Sequence, residues 1–197
     1  MHDTSRVLTV GEGESLTYLL PIIRGIEGGR TREIRLEGAG ASVNIFGLFV
    51  GQDEATLQLD LHIVHAAPNT TSRTLFKGAL DGKSRMDVNG VIHIGKTAVG
   101  ADAMLEERAL LLSPDASASA IPSLEINTDD VKCKHAASAG PVDPEQLFYL
   151  RSRGLAESQA EALVVRGFLD PVLRRLDTPG WRESVGQVID ELIAAHA

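Results

Sequence analysis

Residues 56–64 read TLQLDLHIV. Leu57, Leu59, Leu61 and Ile63 fall on one side of an extended chain, and Thr56, Gln58, Asp60 and His62 on the other. A period of two held over this length is the pattern of a half-buried strand. Working outward, the same reading covers most of the first two-thirds of the chain. Strands are expected at Arg6–Val10, Leu16–Ile23, Arg32–Leu36, Ser42–Val50, Thr56–Ala66, Ser72–Leu80, Ser84–Ile94, Ala109–Leu112 and Ser123–Ile126. Between them stand EGGR, EGAGA, GQDE, APNTT, DGK and SPDAS, all turn chemistry. No segment before Asp143 keeps a helical period over ten or more residues.

Short strands at regular spacing fit a sandwich, a barrel or a β-helix. Aromatic residues make up only 4% of the 197 residues, so aliphatic and small side chains must fill the interior. That composition favours the stacked coils of a solenoid, whose interior takes ladders of aliphatics. No clean internal sequence repeat accompanies it, and a two-sheet sandwich stays open on pattern alone.

The character of the chain changes at Pro141. Asp143 can cap a helix, Pro144 suits its first position, Gln146 stands as the capping-box partner, and Gly154 is a natural terminator. A second helix is expected from Ser158, with Glu161 as its box partner and Ala160, Leu163, Val164, Gly167 and Phe168 along one face. Asp170-Pro171 reads as a restart into a short helix bearing Val172, Leu173 and Leu176. After DTPG a last helix carries Trp181, Val185, Val188, Ile189, Leu192 and Ile193. The organisation is thus residues 1–141, mainly β, followed by a small all-α domain over 142–197. Fifty-odd residues rarely supply a self-sufficient core, so the helices are expected to pack on the β region, on a partner, or on both.

A formal net charge of −8 disfavours nucleic acid and an anionic membrane surface as partners. One cysteine forms no internal disulfide, which fits the cytosol. The opening MHDTSRVLTVGEGES lacks the basic and apolar regions of a signal peptide, and no run reaches the roughly 20 apolar residues of a membrane span. A cytoplasmic location is expected. GxGxxG and GxxxxGK[ST] are absent, and no paired acid and base or serine–histidine–acid set emerges from spacing.

Cys133 and His135 stand two apart in a strand-like segment, so both side chains face one way. Together they offer two ligands to zinc or an iron–sulfur precursor, too few for a closed site; the plainer reading is a small buried hydrophobe beside a hydrogen-bonded histidine. His62 and His65 are set on opposite faces by their spacing, and His93 alternates with Ile92 and Ile94 as an outward residue. Asp129-Asp130 is either a hard-metal pair or turn chemistry. Arg151 and Arg153 either complement the helix dipole or fix the module against Glu145 or an acidic partner. Phe148, Tyr149, Val164, Val165, Phe168 and Leu169 exceed what one helix face buries, and are read as a docking surface.

The ordered series ALLLSPDASASAIPSLEINTDDVKCKHAASAG, DPEQLFYLRSRGL and AEALVVRGFLDPVL resembles the SufB/SufD family of iron–sulfur cluster assembly proteins, nearer to SufD. The resemblance runs from about Thr74 to Leu176. It implies a right-handed parallel β-helix followed by a C-terminal helical domain, with no enzymatic centre. It also implies an ABC-type ATPase partner, SufC, docked through the C-terminal helices, and pairing through the last coils with a SufB-like subunit or with a second copy. His135 corresponds to the histidine implicated at that interface, and is the metal candidate. No tightly bound cofactor is implied, only a transient iron–sulfur cluster in the assembled complex. Family members carry an N-terminal helical region, whereas strand-like sequence here starts within ten residues of Met1, as in a shortened member. Amide side chains common in the family near Leu105, Glu107 and Ala109 are missing. Two rival readings are a homodimeric β-helix protein without an ATPase, and a carbohydrate-active β-helix enzyme, which would need a groove with paired carboxylates.

Overall fold

A computed structural model describes residues 7–23, 30–175 and 179–194. Eleven strands and three helices are present among them. Val7–Val10 (β1), Arg30–Leu36 (β3), Thr56–His65 (β5) and Arg85–Ile94 (β7) form one sheet, continued by Ser117–Ala120 (β9) and Ser123–Ile126 (β10), both on β7. Ser15–Ile23 (β2), Ser42–Gly51 (β4), Thr71–Leu80 (β6), Ala101–Leu111 (β8) and Val131–Pro141 (β11) form the other. Every pairing is parallel, and consecutive strands alternate between the sheets except β9 and β10, which share one. The result is a parallel β-helix of about four turns, not a sandwich. Antiparallel sandwich sheets arise from hairpin and Greek-key links; here each link carries the chain to the facing sheet and the next coil stacks on the last.

Alternation places the interior. Leu57, Leu59, Leu61 and Ile63 are buried, as are Met86, Val88, Ile92 and Ile94 one coil on. In the facing sheet, Gly47, Phe76, Glu107 and Ala137 stand in one inward row, rung on rung. Phe76 fills the space its neighbour leaves: a Cβ on Gly47 would lie 1.9 Å from the Phe76 ring. Large and absent side chains thus alternate along a ladder, which keeps the interior dense without a repeated residue.

The repeat lies in the corners. Gly13, Gly40, Asn69 and Gly100 all have positive φ, at 64°, 68°, 56° and 75°, one per coil. Each N–H donates to a carbonyl of the next coil's turn: Gly13 to Ala39 O, Gly40 to Pro68 O, Asn69 to Val99 O and Gly100 to Asp130 O. Glycine and asparagine recur because the left-handed conformation costs other residues about 1–2 kcal/mol.

The strand at Ala109–Leu112 is longer than expected, running Ala101–Leu111, and β9 adds a strand that its serines and alanines, with no large apolar side chain, do not signal. Glu106, Glu107 and Arg108 break the apolar alternation, but in-register pairing with β6 holds the segment extended. β9 and β10 are one strand interrupted at Ile121–Pro122: Ile121 N–H still donates to Val88 O, while Pro122, with no N–H, cannot continue the ladder.

Three helices follow: Pro144–Ser152 (α1), Glu157–Leu173 (α2) and Pro179–Ala194 (α3). Asp143 caps α1, accepting from Glu145 N–H at 2.9 Å. The second helix starts one residue before Ser158, and Gln159, not Glu161, bonds back to the cap, accepting from Ala156 N–H at 3.0 Å. The expected break at Asp170-Pro171 does not occur; α2 runs through Pro171 to Leu173. Packing explains it: Val165, Leu169 and Val172 are buried on one side of α2 against Leu48, Val50, Ala79 and Leu110 of the spool's outer face and against Val185, Val188, Ile189 and Leu192 of α3. That burial outweighs a proline near the helix end. Leu176 lies outside the described residues, and the side chains of Trp181 and Ile193 are likewise not described.

Candidate functional site

β11 is the last strand of its sheet, hydrogen-bonded to β8 along its whole length. Among the described residues no strand covers its other edge. The backbone N–H and C=O groups that alternate residues of this eleven-residue strand turn away from β8 are a ready template for another chain. Its side chains are short from Ala136 to Gly140, with Lys132 and Lys134 on the outward face.

Cys133 pairs in register with Ala103 and His135 with Leu105, both inward positions, so the two continue the interior ladder onto the uncovered last coil. Shared orientation follows from the i, i+2 spacing. Cys133 is half-buried against the core, and burial, then the charge of Asp102, pushes its thiol up. A protonated thiol is a poor ligand and nucleophile. His135 is exposed. Groups of three or more metal-binding side chains are absent among the described residues.

His65 and His93 have structural partners. His65 is fully buried, with Thr70 Oγ1 and Ser72 Oγ each at 2.8 Å from a ring nitrogen. Desolvation, then the nearby Arg73 charge, drops it to about 4. His62 lies on the opposite face, and outward His93 meets Glu125 at 3.0 Å. Asp129 and Asp130 use their carbonyls in the turn, accepting from Val131 and Gly100.

The helical face divides the proposed docking residues. Phe148 and Tyr149 are 75% and 57% exposed, and Val164 and Phe168 are half-buried. Val165 and Leu169 are 1% and 0% exposed and belong to the core under α2, so they contribute nothing to a surface. The helical period is the reason: both fall on the buried side with Ala160 and Val172. Arg151 reaches Glu157 at 3.5 Å rather than Glu145, and Arg153 lies over the Tyr149 ring. A groove of about 790 Å³ opens between α1, α2 and the spool, lined by Leu110, Pro141, Tyr149, Leu163, Val164 and Phe168, with Asp143 and Glu145 adding acid.

Two residues that sequence reading passed over stand at these places. Lys77 projects outward from β6 beneath α2, donates to Phe168 O at 2.6 Å and sits 4.4 Å from that ring's centre. Desolvation, then Arg108, lowers its ammonium from the usual lysine range. Glu107 points into the spool at 1% exposure, and neither carboxylate oxygen has a hydrogen-bond partner. Desolvation pushes its carboxyl up to about 7. The one signal in the sequence was an acid at an inward parity of β8, hidden because that strand was read from Ala109.

Fold and site together define a parallel β-helix protein with an uncovered last coil and a helical unit on its flank. The description "SUF system FeS cluster assembly, SufBD core domain" matches residues 29–168. An iron–sulfur cluster assembly SufBD family protein of Mycobacterium leprae is 34% identical over 203 residues, covering 99% of this chain and 50% of that protein. A SufBD family protein of Mycobacterium tuberculosis is 34% identical over 198 residues, covering 96% and 50%. The iron–sulfur cluster assembly protein SufD of Bacillus subtilis is 37% identical over 158 residues, covering 80% and 36%. This chain belongs to the SufBD family of iron–sulfur cluster assembly proteins. It spans about half the length of the mycobacterial relatives it matches. Among the described residues no helix is long and apolar enough to cross a membrane.

Proposed function

We propose that this chain is a non-catalytic scaffold subunit of an iron–sulfur cluster assembly complex, with two gripping surfaces. β11 pairs edge to edge with a SufB-like subunit or a second copy, and the groove flanked by Phe148 and Tyr149 docks an ABC-type ATPase, SufC. The observation that carries the reading is the uncovered eleven-residue edge of β11, with Cys133 and His135 on its inner face. Main-chain pairing gives such an edge affinity, and side chains set the partner. ATP-driven closure of the ATPase acts on the spool only through differential binding of its two nucleotide states. Lys77 joins α2 to β6 directly, and β6 is two strands from the pairing edge. His135 holds or gates the nascent cluster, which is cargo. The raised thiol leaves Cys133 a packing role.

The acids of the spool do not favour a carbohydrate-active enzyme. Glu33 and Glu37 pair with Arg35, Asp102 with Arg73 and Glu106 with Arg108, while Glu107 is sealed inside. The test is co-purification with an ABC-type ATPase, with particle mass measured by light scattering. Phe148→Asp with Tyr149→Asp should abolish ATPase capture and leave pairing intact. Capture unaffected by these changes, or a 21.0 kDa monomer that takes no SufB-like partner, defeats the proposal.

A further inference from the structure

Glu107 is a buried carboxylate with no hydrogen-bond partner among the described residues. It spans the interior of the spool: its Oε1 would lie 2.9 Å from a Cβ on Gly90, in the facing sheet. Apolar and small side chains dominate around it. Phe76 faces it from β6, Leu105 and Ala109 flank it on β8, and Gly90 meets it from β7. Thr74, in register with Leu105, carries a buried hydroxyl that makes no hydrogen bond to it. Ala137 stands directly over it in β11, and Pro122 lies in register with Gly90 at the interruption between β9 and β10. The other ionisable side chains on these faces, among the described residues, are His135, exposed, two residues along from Ala137, and half-buried Cys133, two further on. Arg108 and Glu106 project on the outer face and pair with each other.

The cover over Glu107 is therefore one strand thick on both sides. Among the described residues β11 pairs with β8 and no other strand, and β9–β10 is broken where it passes Gly90. A buried charge without a partner costs several kcal/mol, and the cheapest relief is water. We infer that the last coil, β9 to β11, is a proton-linked lid: ionisation of Glu107 lifts it and admits water, and protonation of Glu107 seals it. Local opening of an edge element in preference to the whole fold is the usual hierarchy of native-state stability. A consequence for pairing, that a sealed coil presents β11 as a flat edge, rests on the proposed function; the lid itself does not.

Hydrogen exchange of the whole chain, read by mass spectrometry from pH 4.5 to 8 and corrected for intrinsic amide exchange, decides it. The carboxyl lies at about 7 when closed, against 4.5 when solvated. Protection over 117–126 and 131–141 should fall by up to about 300-fold across that window and level off above it. E107Q and E107L should hold protection constant, which also separates Glu107 from His135 and His65, since both remain in these variants. Should neither variant fold, Cys133 reports on the unaltered chain: its reaction with dithiodipyridine, corrected for thiolate fraction, should accelerate over the same window. Protection or thiol reactivity that is flat with pH overturns the inference. So does a slope equal in E107Q, or an equal fall across β3 to β6.

Discussion

His65 and Glu107 pull the pH dependence of folding in opposite directions, and acidification from pH 7.5 to 5 sets one against the other. His65 falls from 6.5 to about 4 on folding. Its contribution is present above 6.5 and is lost as pH drops toward 4, because the unfolded chain takes the proton first. Glu107 rises from 4.5 to about 7. Its contribution is present below 4.5 and is lost as pH climbs through 7, because the unfolded chain gives up the proton first. Each pH unit of difference corresponds to about 1.4 kcal/mol. Integrated between pH 7.5 and 5, His65 removes about 2 kcal/mol and Glu107 restores about 2 kcal/mol. The unaltered chain should therefore show nearly flat stability across this range. E107Q should lose about 2 kcal/mol on acidification, and H65Q should gain up to about 2 kcal/mol. Urea unfolding at four pH values, with the m-value checked for constancy, reads all three slopes. If the last coil lifts locally, the gain in H65Q is capped by the cost of lifting it, and falls short of the loss in E107Q. Identical slopes in the three proteins would refute the assignment of buried, unpartnered Glu107 and neutral, hydroxyl-bonded His65.

Two further outcomes test the spool. Phe76→Ala empties the space over Gly47 and should cost about 3–5 kcal/mol by urea unfolding; a loss below 1 kcal/mol would mean the ladder collapses to fill the gap. Asn69→Ala at φ 56° should destabilise by about 1–2 kcal/mol while Asn69→Gly is near neutral, read from thermal midpoints; equal midpoints would show that the corner relaxes without strain.

Legibility followed the strength of the local signal. TLQLDLHIV and its neighbours show their faces because one side is solvated, so alternation survives in the sequence. β8 was half missed because Glu106 and Glu107 are adjacent acids, one outward and one inward, and periodicity cannot tell a buried acid from a surface one. β4 is covered on both faces where α2 lies, and its IFGLFV reads as an apolar run whose strand character comes from the turns on either side; β6, covered in the same way, is interrupted by Lys77. The docking residues split for a similar reason. Val165 and Leu169 look as sticky as Phe148 and Tyr149, and only the seat of α2 on the spool tells core from surface.

The amino-acid order alone determined the strand-to-helix change at Pro141, the Asp143 cap, the common face of Cys133 and His135, and the opposed faces of His62 and His65. These depend on bond geometry and spacing a few residues long. Tertiary structure alone decided that α2 passes through Pro171, that Val165 and Leu169 are core rather than surface, and that Glu107 ends inside without a hydrogen-bond partner among the described residues. Those outcomes turn on contacts between residues about one coil or more apart, where the energy of burial overrides what any short window of sequence prefers.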